Sequence, residues 1–286
     1  MPILIVATDF SPRSDRALRR ASLLARQLSG EMLVAYVSEG APGTKSVDYA
    51  REPEPLLKDL QHTITAMDGL PCQYRMLRGT AEEELCDLAN VSGARLVVVG
   101  PHNRSLITDM FGAITVERIA GQSPVSVLAA NGVPAAPYRK VLLPVDMEDG
   151  SKHTVETLHK LGIAGNARIV LLHIYDAEAR EMMSQALVPG DSRRDYLKER
   201  AEEAYSDLRA FANSTGLENA ALLVEEALHP ATMVVERVAE EEQADLLVVS
   251  RSAKSAAEKG FLGSLTANLM RNGKSDLLIV PYQPER

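Results

Sequence analysis

The chain says the same thing twice, and this constrains its fold more than any other feature. Residues 3–10 read ILIVATDF and residues 141–147 read VLLPVDM; each apolar run reaches an Asp and is followed by a Ser-containing helix start. Further along, ARLVVVG at 94–100 is matched by ADLLVVS at 244–250. The helix starts MFGAITVERI and FLGSLTANLM follow, and the halves close on PVSVLAA at 124–130 and DLLIVPY at 276–282. Order and spacing agree over about 140 residues, the signature of a duplicated domain rather than of a short-period solenoid. The length of 286 residues fits two domains, each large enough to bury its own core.

Within each half, strands alternate with helices. The first half reads as strands at 3–8, 31–37, 72–78, 95–100 and 125–129. Helices fall near 14–29, 54–68, 80–92 and 111–121. The second half repeats the order, with strands near 140–145, 167–174, 220–225, 245–250 and 276–281 and a long helix over 193–213. The strands are apolar at consecutive positions, as expected when helices cover both faces of a parallel sheet joined by right-handed crossovers. Domains are expected at 1–130 and 139–286, with the turn-rich segment 131–138 as a short linker. The closing strands PVSVL and DLLIV would otherwise be exposed apolar edges, so they are expected to pair with each other as an internal pseudo-dimer. A homodimer would then use a different surface.

Composition excludes several classes. The net charge of −8 argues against a broad nucleic-acid surface, which needs clustered Lys and Arg. Aromatic residues are 4% and Trp is absent, so the cores must be aliphatic. Cys72 and Cys86 form neither a disulfide framework nor a metal spacing. The N-terminus lacks a basic region and no apolar run reaches the length of a membrane span; the expectation is a cytoplasmic protein without membrane association. No GxGxxG, HExxH or GxSxG motif occurs. Gly273-Lys274-Ser275 resembles the end of a phosphate loop but precedes a strand rather than following one.

In an open parallel sheet, ligands bind beyond the carboxyl ends of the strands. The first strand of each half ends there in Thr8-Asp9 and in Pro144-Val145-Asp146. Either Asp could cap the next helix or hydrogen-bond a bound base or sugar. The fourth strands end in Gly100 and Ser250, and the helices that follow open on Gly112-Ala113-Ile114-Thr115 and on Gly263-Ser264-Leu265-Thr266. A glycine or hydroxyl at a helix start presents free N–H groups to an anion.

The strand-ending Asp, the VVVG and LVVS strands and the GSLT helix start together resemble the universal stress protein family, in its tandem two-domain form. The resemblance spans essentially the whole chain. It implies a Rossmann-like α/β fold of the adenine nucleotide alpha hydrolase type, with two repeated domains, each a five-stranded parallel sheet flanked by helices. It also implies binding of ATP or AMP, with magnesium, in those members that carry Gly-x2-Gly-x9-Gly-Ser/Thr. This sequence departs from that pattern in both halves. Asn103 replaces the second glycine of the first half, the gap to Gly112 is one residue short, and Ala113 replaces the hydroxyl residue. Ser250 and Ala253 replace both opening glycines of the second half, which keeps its spacing and Gly263-Ser264. The second half reads as the better phosphate site, because Arg251, Ser252, Lys254 and Ser255 can supply charge and hydroxyls. The resemblance sets adenine beside Asp9 or Asp146.

The leading expectation is a regulatory stress-response module that binds an adenine nucleotide. The alternative is a nucleotide-free dimeric interaction protein with degenerate loops. An enzyme such as a slow ATPase comes last, because no general base or metal cluster is legible.

Overall fold

The computed structural model describes residues 1–38, 53–101, 113–177, 190–251 and 262–282. The first half contains strands β1 (Ile3–Ala7), β2 (Glu31–Ser38), β3 (Cys72–Arg78), β4 (Leu96–Val99) and β5 (Ser126–Ala129). Its helices are α1 (Ser14–Leu28), α2 (Pro53–Thr63), α3 (Ala81–Ser92) and α4 (Ala113–Gln122). The second half contains β6 (Lys140–Pro144), β7 (Arg168–Tyr175), β8 (Ala221–Glu226), β9 (Leu246–Ser250) and β10 (Asp276–Val280). Its helices are α5 (Asp149–Leu161), α6 (Gly190–Ser214), α7 (Ala231–Glu241) and α8 (Ser264–Asn272).

All ten strands form one sheet, in the order β3-β2-β1-β4-β5-β10-β9-β6-β7-β8. Pairing is parallel within each half, and β5 meets β10 antiparallel with Leu128 opposite Leu278. The apolar edges of the two halves therefore cover one another, as expected from PVSVL and DLLIV. Two aliphatic cores lie on the two faces of this sheet, and each contains residues of both halves. No helix among the described residues is long and apolar enough to cross a membrane.

Two expectations need correction. Continuous apolar strands hold for the interior of the sheet but not for its edges: β3 exposes Gln73, Arg75, Met76 and Arg78, and every residue of β8 is half-buried. An outermost strand has a neighbour on one side only, so more of its surface stays open to water. The helix expected over 54–68 ends as an α-helix at Thr63 and continues as one wide π turn, Ile64–Asp68, stopped by Gly69 at φ 65°.

The halves are also clamped around Asp276, at the start of β10. Its side chain is fully buried, and its Oδ2 lies 2.7 Å from Arg20 Nε on α1. That N–H points off the line a hydrogen bond requires, so the contact is an ion pair. The Tyr138 hydroxyl donates to Oδ2 at 2.7 Å and the Gly132 N–H to Oδ1 at 2.7 Å. Arg20 also stacks 4.2 Å over the Tyr138 ring and donates to Ala136 O. The connecting segment is thus pinned to helix α1 of one half and strand β10 of the other.

Candidate functional site

The sheet order reverses between β1 and β4, and again between β6 and β9, so each half has one switch point where a crevice opens. At the first, a recess of about 30 Å³ is lined by Ala7, Asp9, Ser11, Gly100, Val116 and Ile119, among others. That is room for a water, and a nucleotide would have to extend toward 102–112. Asn103 and Gly112 lie in that segment, outside the described residues, as do Ser252, Ala253, Lys254 and Ser255 of the second half. Thr115 lies in the first turn of α4.

The turn after β1 is built from its own side chains. Thr8 is fully buried; its hydroxyl donates to Ser14 Oγ at 3.1 Å and accepts from the Phe10 N–H. Asp9 Oδ1 accepts from the Ser11 N–H at 2.9 Å. In the second half, Asp146 Oδ1 accepts from the Glu148 N–H at 3.0 Å and from Ser151 Oγ at 2.5 Å. Between Asp and helix, Phe10 (φ 60°) and Met147 (φ 64°) occupy the left-handed region, which is rare for such side chains. Both aspartates thus close the turn that precedes the helix, with Oδ1 only, and neither caps the helix itself, whose N-cap residues are Arg13 and Glu148. Asp9 Oδ2 has no hydrogen bond among the described residues and belongs to the recess wall. Thr8, in contrast, is a turn-building residue whose hydroxyl bonds Ser14 and Phe10.

Gly100 also acquires a packing reason. A Cβ there would meet Arg13 O at 3.0 Å, because the end of β4 runs against the start of α1. Close approach to phosphate is not needed to explain it. In the second half, Pro144 ends β6 and brings no backbone N–H. The β6–β9 ladder has two residue pairs, against three for β1–β4. Val145 is buried, while Asp146 is exposed. Gly263 sits at the N-cap of α8 with ordinary negative φ, Ser264 is exposed, Leu265 is half-buried and Thr266 is buried.

Arg251 brings the largest change. Its Nη1 donates at 2.5 Å to Gly121 O, in the last turn of α4. It fills the role of a cation at a helix C-terminus, supplied from the other domain. Its Nε is buried with no hydrogen-bond partner among the described residues, and burial pulls its pKa down. Cys86 on α3 stands near enough to feel this charge. Burial still pushes the Cys86 thiol up to about 11, with Asp87 and Glu82 adding to the rise. Of the two cations in the second-half loop, Arg251 is thus engaged with α4, and Lys254 lies outside the described residues.

His173 near the end of β7 was not legible as a site residue. Its Nδ1 lies 2.9 Å from Val145 O, which can only accept, so Nδ1 carries the proton and Nε2 is left as an acceptor. It lines a recess of about 500 Å³ with Tyr175, Asp176 and Arg200. A polar residue interrupting RIVLLHIY is the only sequence signal for it. Among the described residues no group of three or more His, Cys, Asp or Glu could hold a metal.

Comparison with known proteins agrees with this architecture. The family model described as the universal stress protein family matches twice, over residues 1–131 and 137–281. A universal stress protein of Methanocaldococcus jannaschii is 26% identical over 147 residues, 50% of this chain and 82% of its own. One from Mycobacterium tuberculosis is 28% identical over 146 residues, 50% of this chain and 96% of its own. The crystal structure of a universal stress protein from Archaeoglobus fulgidus superposes with a TM-score of 0.70, covering 98% of both chains at 14% identity, so the two share a fold. The chain belongs to the universal stress protein family and carries two copies of its domain.

Proposed function

We propose that this tandem protein is a regulatory module that binds an adenine nucleotide, ATP or AMP, in its first half. The observation that carries the reading is the recess at the β1–β4 switch point. Asp9 lines it, with one carboxylate oxygen that has no hydrogen bond among the described residues, and α4, whose start is the anion-binding position, forms part of the wall. In the second half the corresponding cation, Arg251, is spent on α4. Membership in the family and the motif resemblance support adenine as the base. The proposal includes no catalytic step: binding and stress-linked signalling without turnover of ATP, in the cytoplasm.

Nucleotide that binds only the folded chain raises its melting temperature by mass action. Saturation to a hundredfold over Kd contributes about 2.7 kcal/mol, or roughly 5–10 °C for a chain of this size. The test is the melting shift with ATP, AMP and GTP, each with and without magnesium. We expect a shift with ATP that Gly112→Val abolishes and Gly263→Val spares. No shift at millimolar nucleotide would overturn the reading in favour of the second one, a nucleotide-free interaction protein. That alternative is favoured by the commitment of Thr8 and Arg251 to structure. Loss of the shift in Gly263→Val alone would move the site to the second half.

A further inference from the structure

Helix α4 belongs to the first domain, where Arg118 Nη1 donates to Glu82 Oε1 of α3 at 3.0 Å, but it is also held by the second. Near its C-terminal end, Gly121 O accepts from Arg251, the residue that follows β9. One turn earlier, Glu117 receives a bidentate contact from Arg271 of α8, with Nε to Oε1 at 2.6 Å and Nη2 to Oε2 at 2.9 Å. The Glu117 side chain is 19% exposed, so this contact is partly shielded from water. Both contacts run in one direction. The repeat register sets Pro101 where Arg251 stands, Ala120 where Arg271 stands and Asn268 where Glu117 stands. At these equivalent positions the repeat therefore provides no guanidinium from the first domain and no carboxylate on α8, although the two domains share a fold. The same α4 supplies Val116 and Ile119 to the wall of the switch-point recess.

We propose that the second domain is a built-in regulator of the first: Arg251 and Arg271 set the position and stability of α4, and through it the nucleotide affinity of the first half. The affinity arm rests on the function proposed above; the α4 arm does not. A bidentate guanidinium–carboxylate pair fixes orientation as well as distance, which a lysine in place of Arg271 cannot do. The C-terminal contact fixes the opposite end of the helix from the one that would face phosphate. The two domains then communicate through one helix, with a coupling free energy that can be read as a ratio of affinities.

The test uses the full chain as wild type, Arg251→Ala, Arg271→Ala, Arg271→Lys and the double alanine variant. Arg237→Ala, which removes two exposed ion pairs within the second domain, serves as control. Amide hydrogen exchange without nucleotide should quicken over residues 113–122 in the double variant, by about fivefold or more, while β1 and β2 keep their protection. ATP affinity should fall about tenfold in the double variant, within the ordinary range of coupling, and less in Arg271→Lys. Unchanged α4 exchange overturns the proposal whether or not nucleotide binds. So does an unchanged ATP Kd in a variant whose α4 has loosened. If wild type binds no ATP, the nucleotide reading fails by itself and α4 exchange alone decides whether the clamp stands.

Discussion

Replacing Asp276 by Ala should be the most destabilising single change in the segment that joins the domains. The carboxylate is fully buried, and Arg20, its partner at 2.7 Å, is only 4% exposed. Removing one member of a buried pair leaves the other charge without compensation, at a cost of about 3–5 kcal/mol. The Gly132 N–H and the Tyr138 hydroxyl lose their acceptor at the same time. These losses overlap because they share one carboxylate, so about 4 kcal/mol is expected, and the melting temperature falls by roughly 10 °C. Asp276→Asn keeps an acceptor of the same shape and should lose less. The discriminating variant is Arg20→Met with Asp276→Leu, which removes both charges and should recover much of the loss, since the desolvation penalty disappears with them. Equilibrium urea unfolding followed by circular dichroism reads the wild type, these three variants and the two component singles Arg20→Met and Asp276→Leu. The reasoning is refuted if Asp276→Ala costs less than about 1 kcal/mol, or if the double variant is simply the sum of its singles.

Other outcomes follow from the same structure. Burial, with the Asp276 charge next, holds the Tyr138 hydroxyl well above its usual pKa of 10.0. The unfolded chain would release this proton first, so stability should fall as pH rises past about 10, and Tyr138→Phe should flatten that slope in alkaline unfolding curves. Burial pushes both thiols, Cys72 and Cys86, up to about 11. At pH 8 the thiolate fraction is then about one in a thousand; a thiol reagent should react slowly with the folded chain and rapidly after unfolding. Gly100→Ala puts a Cβ 3.0 Å from Arg13 O, a backbone atom, and should cost about 1–3 kcal/mol in thermal unfolding. A cost below about 0.5 kcal/mol would show that the β4–α1 approach is loose.

The sequence made the architecture legible because the repeat doubled every signal. ILIVATDF and VLLPVDM mark the same strand twice, and two apolar closing strands with no other cover can only meet each other. The positions that misled are those where the copies use one residue type for different ends. Asp9 and Asp146 look like ligand groups or caps, and the choice depended on which oxygen the turn consumes. Arg251 sits one residue beyond a strand end, and nothing in its neighbours tells that its side chain crosses to Gly121, some 130 residues away in sequence. Asp276 reads as the ordinary start of a strand; its role comes from Arg20 and Tyr138, which only the assembled domains bring together. Side-chain reach across an interface leaves no periodic trace, whereas strands and helices do.

The claim that the first half holds the nucleotide is tested most directly by photolabelling with azido-ATP, followed by peptide mapping, with and without excess ATP. The account predicts ATP-protected label in peptides around Asp9–Ser14 or Gly100–Pro101, at the β1–β4 switch point. Protected label around Pro144–Ser151 in its place, or label that excess ATP does not remove, would contradict it.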